Sequence, residues 1–253
     1  MDYKQIEALV RSTKSIVDNV TLNHDVRSKG DADFVTAVDL GISNYLKEEL
    51  HKLWPDIAFF SEEEEAEFHD PTWILDPIDG TTNLVYGYNM SSVSLALYRG
   101  GKVEYGVVYN PYSGECFTAI AGEGAYLDGK PITASRRDFK NSIIEFGAGV
   151  TYKEDADTNF LLAREIFKRC LDLRRICSSA LTLCFVAAGR IDGYFETVLK
   201  PWDYAAASLI LAEAGGKTSD YEGKPLPFTH PGTIIATNGV IHDELRELIN
   251  QYN

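Results

Sequence analysis

The second half of the chain alternates between helical and strand-like segments, and no other feature of the sequence constrains the fold as strongly. We predict strands at Ser142–Phe146, Leu173–Ile176, Ile191–Phe195 and Ile234–Ala236, and helices at Thr158–Leu171, Ala180–Ala188, Tyr204–Ala214 and Ile241–Ile249. Strands need paired neighbours and amphipathic helices need an apolar surface to cover, so alternating elements favour layered packing. The sequence therefore predicts a mixed α/β fold.

The first half combines two amphipathic helices with a run of strands. Apolar residues at helical spacing predict helices at Tyr3–Val20 and Asp39–Leu53, with a polar loop or hairpin tip at Asn23–Asp33 between them. We predict strands at Ile57–Phe60, Trp73–Leu75, Ser91–Tyr98, Val103–Tyr109 and Glu115–Ala121, and a tight hairpin in Gly122–Ile132. This half is therefore expected to be rich in β-structure.

The length of 253 residues suits one large domain. We therefore expect a single domain over residues 1–253. Two subdomains are the alternative, a β-rich unit of residues 1–135 with two N-terminal helices and an alternating α/β unit of residues 136–253. The polar stretch Thr133–Asn141 would then contain the boundary.

The formal charge limits the partners that the chain can bind. A net charge of −14 argues against binding to nucleic acid, which needs a basic surface. Acidic side chains would also repel an anionic substrate such as a phosphate ester, unless bound cations reversed the local sign. Phosphate chemistry therefore fits this composition only if metal ions take part.

Three further features bear on location. The N-terminal segment is amphipathic and lacks the apolar centre of a signal peptide, and no run of apolar residues is long enough to span a membrane. The cysteines have no CxxC spacing and are interpreted as buried, reduced thiols: Cys116, Cys170, Cys177 and Cys184. We expect a cytoplasmic protein with no membrane partner.

The segment Trp73–Asn83, with the sequence WILDPIDGTTN, carries the strongest chemical signal. Asp76 and Asp79 lie three residues apart on either side of a proline, so we expect both on one stiff turn after a short strand. Carboxylates held in this way can share Mg²⁺, which prefers oxygen ligands. Asp-Pro and Asp-Gly pairs are also common turn formers, and either aspartate could simply cap a helix.

The residues that follow Asp79 suggest a phosphate site. Gly80 would let a backbone approach a ligand closely, because glycine has no Cβ. If Thr81 or Thr82 begins a helix, the free N–H groups of its first turn would face an anion. A metal and a phosphate on one segment suggest metal-assisted phosphoryl chemistry.

Other acidic residues could reach the same metals. The run Ser61–Glu65, SEEEE, ends a predicted strand shortly before Asp76, although four consecutive glutamates are usually a solvated surface. Asp203 in Pro201-Trp202-Asp203 and Asp39 in ADFVTAVD each stand at the start of a predicted helix. Both are placed to act as N-caps, and for Asp203 this is compatible with metal binding.

Together these segments resemble the inositol monophosphatase family of Mg²⁺-dependent, lithium-sensitive phosphatases. WILDPIDGTTN resembles the first signature motif of the family, and PWDYAAASLILAEAGG resembles the second. ADFVTAVD and FFSEEEE resemble two upstream motifs, and the likeness extends over nearly the whole chain in the family's order. The chain departs from the family pattern at Ser61, where glycine is usual, and at Cys177-Ser178-Ser179, where Gly-Ser-Ala or Gly-Thr-Ala is common.

The resemblance implies a role for each matching residue. It implies metal ligation by the side chains of Glu62, Asp76, Asp79 and Asp203 and the carbonyl of Ile78, for two to three Mg²⁺ ions, with Glu62 also at the weakest ion. It implies that Thr81, oriented by Asp39, positions and helps to deprotonate a water. Substrate binding is implied for Asp79, Gly80, Thr81, Thr82, Ser179 and Glu196.

The resemblance also implies the fold and the reaction. The expected architecture is an αβαβα sandwich of the inositol monophosphatase and fructose-1,6-bisphosphatase type, assembled as a homodimer. The expected reaction is hydrolysis of an inositol monophosphate by attack of a metal-activated water. Fructose 1,6-bisphosphate or another small phosphate ester is the alternative substrate, and a metal-binding regulatory module without activity is the alternative outside enzymes.

Overall fold

The computed structural model describes residues 1–19, 27–30, 33–64, 66–148 and 153–252. Within these ranges the helices are α1 (Tyr3–Ser12), α2 (Lys14–Asn19), α3 (Ala37–Leu53), α4 (Thr81–Val85), α5 (Ala156–Phe167), α6 (Ser179–Ala187), α7 (Pro201–Glu213) and α8 (His242–Tyr252). Single turns of 3₁₀ helix lie at Phe139–Asn141 and Lys153–Asp155.

The first strands, β1 (Arg27–Gly30) and β2 (Asp33–Val35), pair with each other in an antiparallel hairpin. The larger sheet has seven strands in chain order: β3 (Ala58–Ser61), β4 (Thr72–Asp79), β5 (Ser92–Arg99), β6 (Lys102–Tyr109), β7 (Cys116–Ile120), β8 (Ala125–Leu127) and β9 (Lys130–Pro131). Strands β3 and β4 are parallel, and the other neighbours in this sheet are antiparallel.

The smaller sheet has five strands in the order β11-β10-β12-β14-β13. Its strands are β10 (Ile143–Phe146), β11 (Asp172–Arg174), β12 (Gly193–Leu199), β13 (Lys217–Ser219) and β14 (Gly232–Thr237). Strand β10 runs parallel to β11 and β12, whereas β14 runs antiparallel to β12 and β13.

Helices and sheets form five layers in the order αβαβα. Helices α1 and α3 cover one face of the larger sheet, α6 and α7 lie between the two sheets, and α5 and α8 cover the outer face of the smaller sheet. The alternation of neighbouring side chains shows this directly, because Ile234 belongs to the cluster between the sheets and Ile235 to the outer cluster. The predicted mixed α/β class and sandwich architecture are confirmed.

Helix α7 approaches the larger sheet closely because its facing residues are small. A Cβ on Gly106 of β6 would stand 2.6 Å from the carbonyl oxygen of Ala206, so only glycine fits opposite this helix. The alanines at 205–207 are fully or almost fully buried in this contact. The close packing brings the N-terminal turn of α7, with Asp203, to the end of β4.

Several predicted boundaries were wrong in detail. The helix predicted at Tyr3–Val20 is interrupted at Thr13, whose buried hydroxyl donates to the carbonyl of Val10 at 2.6 Å, and Val20 lies outside the described residues. Strand β13 was not predicted because it is short and largely polar. The cysteines are unpaired, as expected, but only Cys116 and Cys184 are buried, whereas Cys170 is half-buried and Cys177 is exposed.

The hairpin of β1 and β2 agrees in part with the loop or hairpin tip predicted at Asn23–Asp33, where residues 23–26 and 31–32 lie outside the described residues. The division into subdomains near Thr133–Asn141 stays a prediction.

Candidate active site

Asp76 and Asp79 lie on a bulged strand, so the prediction of a turn at these residues was wrong. Strand β4 continues through both, with Asp76 opposite Ser94 and Asp79 opposite Ser92. The advance of three residues from Asp76 to Asp79 in β4 is thus paired with an advance of only two residues in β5. The extra residue in β4 forms a β-bulge. In a regular strand, residues three apart point to opposite faces, and the bulge brings both aspartates to the same face. Proline is tolerated there because a bulge interrupts the ladder.

Asp76 is a buried acidic group of the site with one unsatisfied oxygen among the described residues. Its side chain is 2% exposed, and its Oδ1 has no hydrogen-bond partner among the described residues. Burial raises the pKa of this carboxyl well above its ordinary value, and the charges of Glu62, Asp79 and Asp203 raise it further. Because buried like charges repel, the position of Asp76 favours a bound cation.

Glu62 reaches this cluster through the parallel pairing of β3 and β4. Ser61 at the end of β3 is opposite Leu75, and the Glu62 amide donates to the Leu75 carbonyl at 3.2 Å. Glu62, the residue after Ser61, is therefore level with Asp76, the residue after Leu75, across the two strands. Its charge acts on the carboxyls of both Asp76 and Asp203.

Asp79 accepts hydrogen bonds from the beginning of α6. The amides of Ser179 and Ala180 donate to its carboxylate at 3.1 and 2.9 Å, and the hydroxyl of Ser178 donates to its Oδ2. A carboxylate at a helix N-terminus is favoured by the helix dipole. Burial nevertheless raises the pKa of Asp79 to about 6, because desolvation outweighs the opposing effect of these hydrogen bonds.

Asp203 and Asp39 each occupy the third position of a helix, so both predictions of an N-cap were wrong. The Asp203 carboxylate accepts from the amide of Lys200, the N-cap of α7, at 2.7 Å. The Asp39 carboxylate accepts from the amide and hydroxyl of Thr36, the N-cap of α3. In this arrangement the remaining carboxylate oxygen stays available to the site.

Thr81 begins α4, which agrees with one of the two predicted starting residues, Thr81 and Thr82. Its hydroxyl oxygen lies 3.3 Å from Oδ1 of Asp39 and 3.0 Å from the carbonyl oxygen of Ile78. Burial raises the pKa of Asp39 to about 6, against the opposing effect of its bonds to Thr36. The structure thus places a hydroxyl beside a carboxyl that can gain or lose a proton near neutral pH. Thr82 follows in the same turn.

Gly80 has a backbone that a side chain would strain and crowd. Its φ is +88°, and a Cβ would stand 3.0 Å from the carbonyl oxygen of Cys177 and 3.1 Å from that of Met90. We expect Gly80→Ala to lower the free energy of unfolding by about 2 kcal/mol or more. Gly87→Ala is the matched control, since Gly87 also has positive φ but a Cβ there would meet no atom of the described residues within 4 Å. Equal losses in urea unfolding would contradict this account.

Asn83 and Ser178 contribute to the site but were not assigned by sequence. The side-chain amide of Asn83 donates to the carbonyls of Met90 and Ile176 at 2.7 and 2.8 Å. It thereby ties the loop before α6 to the segment that follows β4. Asn83 is part of the WILDPIDGTTN motif, so a signal existed, but its partners could not be identified without the fold.

Glu196 and Ser179 lie on the other side of the site, on the smaller sheet and α6. Glu196 is on β12 and 8% exposed, and Ser179 begins α6 and is 9% exposed. The hydroxyl of Tyr194 contacts both side chains. The structure thus places the residues implied for metal binding and those implied for substrate hydroxyl groups on either side of the loop before α6.

The donor chemistry of this site suits Mg²⁺, which prefers carboxylate and carbonyl oxygens. Among the described residues, no three acidic, histidine or cysteine side chains are arranged to hold a metal ion as they stand. The carboxylates of Asp39, Asp79 and Asp203 are turned toward amide and hydroxyl donors instead. Oδ1 of Asp76 has no hydrogen-bond partner among the described residues, and this buried oxygen in an acidic cluster fits a cation.

The raised pKa values predict how pH changes the stability of the metal-free protein. The carboxyls of Asp39 and Asp79 have a pKa of about 6 in the folded state, above the value near 3.9 of an unfolded aspartate. The folded state therefore binds protons more tightly, and stability falls as pH rises from about 4 to about 6. We expect this fall in thermal unfolding with EDTA, and a smaller fall with excess Mg²⁺. Identical profiles with and without Mg²⁺ would count against the carboxylate cluster as a metal site.

The chain matches known proteins along nearly its whole length. A family model described as the inositol monophosphatase family matches residues 3–253. The chain is 38% identical over 218 residues to Nus factor SuhB of Escherichia coli strain K12, covering 85% of this chain and 81% of that protein. It is 34% identical over 252 residues to inositol-1-monophosphatase of Rhizobium meliloti strain 1021, covering 97% and 94%.

Solved structures give the same result. An IMPase from Thermotoga maritima matches with a TM-score of 0.90 at 32% identity, covering 100% of this chain and 98% of that chain. An IMPase/NADP phosphatase in complex with Mg²⁺ and phosphate matches with a TM-score of 0.88 at 25% identity, covering 98% and 94%.

Proposed function

Since this chain belongs to the inositol monophosphatase family, we propose that it is a Mg²⁺-dependent phosphomonoester hydrolase acting on an inositol monophosphate. One observation carries the proposal: Asp76 is buried, its Oδ1 has no partner in the described part of the chain, and neighbouring carboxylates raise its pKa. Such a cluster is costly without cations, and beside it lie a threonine hydroxyl and a glycine turn. Divalent cations at this position would make an acidic protein able to bind phosphate.

We propose that the side chains of Glu62, Asp76, Asp79 and Asp203 and the carbonyl of Ile78 hold the cations, with Glu62 also at a weaker third ion. The bound ions would lower the pKa of a bound water and would place positive charge near the phosphoryl oxygens. Asp76 is shared between the main ions in this assignment, which agrees with its central place among the other charges.

The protein's own groups then orient and deprotonate the attacking water. Thr81 accepts a hydrogen bond from the water and passes its own proton toward Asp39, whose carboxylate oxygen lies 3.3 Å away. Asp39 is the carboxylate placed to accept that proton from the Thr81 hydroxyl. The first turn of α4 presents backbone amides and the hydroxyls of Thr81 and Thr82 to the phosphoryl oxygens, and Gly80 allows their close approach.

Glu196 and Ser179 are proposed to bind hydroxyl groups of the substrate. Glu196 lies on β12 of the smaller sheet, and Ser179 begins α6. Inositol monophosphate is favoured over fructose 1,6-bisphosphate because a second phosphate needs further basic residues, and the chain has only 24 lysines and arginines against 38 acids.

A binding module without activity is the second candidate. It is favoured by the relatives named Nus factor, a name that specifies no phosphate ester. Every residue proposed for metal binding is nevertheless present in this chain, and loss of one ligand would be the simplest route to an inactive protein.

The absence of a nucleic-acid partner, the cytoplasmic location and the homodimer all stay predictions. Among the described helices, none combines the length and apolar character needed to cross a bilayer.

Phosphate release from a panel of esters tests the proposal. The panel contains myo-inositol 1-phosphate, fructose 1,6-bisphosphate, histidinol phosphate and 3′-phosphoadenosine 5′-phosphate, each with Mg²⁺, with EDTA and with Mg²⁺ plus Li⁺. We expect turnover of the inositol ester that EDTA abolishes and Li⁺ inhibits. Preference for another ester would change the proposed substrate but keep the reaction. No release from any ester would favour the binding module.

A further inference from the structure

A buried row of oxygen groups forms one wall of the proposed hydroxyl site. The hydroxyl of Tyr194 contacts the carboxylate of Glu196 at Oε2, and the hydroxyl oxygen of Ser179 lies 2.9 Å from the Tyr194 oxygen. Tyr194 is 2% exposed and therefore lies behind the other two, which each retain a small exposed fraction. No residue of the proposed mechanism uses the Tyr194 hydroxyl.

The protons available in this row determine which group donates and which accepts in each hydrogen bond. A carboxylate can only accept hydrogen bonds, so the single proton of the Tyr194 hydroxyl is donated to Glu196. Tyr194 then has only lone pairs left for Ser179, and the Ser179 hydroxyl must donate its own proton to Tyr194. Burial and the Glu196 carboxylate both raise the pKa of Tyr194 well above its ordinary value, so the phenol keeps its proton at neutral pH.

The position of Glu196 also depends on Gly147, which has no side chain. A Cβ at Gly147 would collide with the Glu196 carboxyl, so the carboxylate occupies the space that glycine leaves. Glu196 is thus held by close packing on one side and by the Tyr194 hydroxyl on the other. Ser179 is held in turn, because its amide donates to Asp79 at 3.1 Å.

We propose that Tyr194 is a positioning residue that keeps the Ser179 hydroxyl an acceptor toward the substrate, so that Ser179 and Glu196 together favour phosphate esters of polyols with free hydroxyl groups. With its proton given to Tyr194, Ser179 offers only lone pairs to the substrate, and Glu196 does the same as a carboxylate. Substrate hydroxyls that donate hydrogen bonds are matched there, and an unsubstituted carbon ring would leave these acceptors unpaired. The inference rests on the proposed phosphatase activity and names the substrate class of that site.

The test compares two esters that differ only in hydroxyl groups, myo-inositol 1-phosphate and cyclohexyl phosphate. For the wild type we expect kcat/KM to favour the inositol ester by about a hundredfold or more. In Tyr194→Phe we expect this preference to fall by about tenfold or more through a higher KM for the inositol ester, with cyclohexyl phosphate turnover little changed. Ser179→Ala should reduce the preference by a smaller factor.

Tyr221→Phe is the matched control. Tyr221 is also buried, at 4% exposure, but its hydroxyl has no hydrogen-bond partner in the described part of the chain. The same change there should leave the preference as in the wild type. A purely structural role of Tyr194 would lower turnover of both esters equally, and that result would overturn the inference.

Failure of the inference is distinguishable from failure of the proposed function. Equal turnover of both esters by the wild type would leave the phosphatase intact and refute an acceptor surface. Turnover of neither ester would contradict the proposed phosphatase and, with it, this inference. Thermal unfolding of each variant shows whether it is folded, and Ser179→Ala supplies the test if Tyr194→Phe is not.

Discussion

Asp76→Asn will abolish Mg²⁺-dependent phosphate release, by about a thousandfold or more, and will make the metal-free protein more stable at neutral pH. The two effects have one cause. Asp76 is buried, its Oδ1 is unpartnered among the described residues and four acidic neighbours raise its pKa, so folding near neutral pH must either bury this charge or take up a proton. Asparagine removes that cost together with a ligand that we propose is shared by two ions.

The gain in stability should depend on pH and on metal. We expect about 1 kcal/mol or more at about pH 7.5 with EDTA, which is a rise of a few degrees in the unfolding temperature for a chain of this size. The gain should shrink as the pH falls to about 4 and below, where Asp76 becomes protonated in both states. With excess Mg²⁺ the order should reverse, because the wild type then gains binding energy that the variant lacks.

Asp192→Asn is the control for this experiment. Asp192 is also fully buried, but its carboxylate accepts from Arg137 at 2.9 and 3.0 Å and from the amide of Ile143 at 2.8 Å. Its replacement should lower stability by about 1–3 kcal/mol, because asparagine removes the charge that pairs with the partly exposed Arg137 and cannot satisfy the same buried donors. An Asp76→Asn variant that lost as much stability as Asp192→Asn, or that kept Mg²⁺-dependent turnover, would refute the proposed role of Asp76.

Thr81→Val should lower kcat by about a hundredfold or more while leaving the fold and Mg²⁺ binding in place. Valine keeps the branched shape of threonine but removes the hydroxyl that lies 3.3 Å from Asp39. Without it, the proposed path of the proton from water to Asp39 is interrupted, and loss of a general-base path has effects of this size. The measurement is steady-state turnover at saturating Mg²⁺ and ester.

Thr81→Ser serves as the matched variant, because it restores the hydroxyl and should keep turnover within about tenfold of the wild type. Metal titration of all three proteins checks that ion binding is unchanged. Equal activity of the valine and serine variants would show that the hydroxyl takes no part in proton transfer.

Much of the site could be predicted because its residues lie in short, contiguous motifs. The segment WILDPIDGTTN places Asp76, Asp79, Gly80 and Thr81 within a few residues, so any compact local structure brings them together. The alternation of helices and strands likewise follows from local hydrophobic patterns, and the structure confirms the layered α/β fold.

The geometry of those residues could not be predicted locally. The bulge at Asp76–Asp79 exists only in relation to β5, since it is a mismatch of register between two strands. Asp39 and Asp203 are not N-caps because α3 begins at Ala37 and α7 at Pro201, in each case earlier than the hydrophobic pattern predicted. Tyr194 lacked any signal, because its hydroxyl matters only through contacts made across the fold.

The carboxylates around Asp76 are proposed to hold divalent cations. Anomalous diffraction from crystals grown with Mn²⁺ in place of Mg²⁺ tests this proposal most directly, because it locates the ions without relying on activity. We predict anomalous peaks between the carboxylates of Asp76, Asp79 and Asp203 and beside Glu62, and none there in Asp76→Asn. Crystals of the wild type with no peak within this cluster at saturating Mn²⁺ would contradict the account.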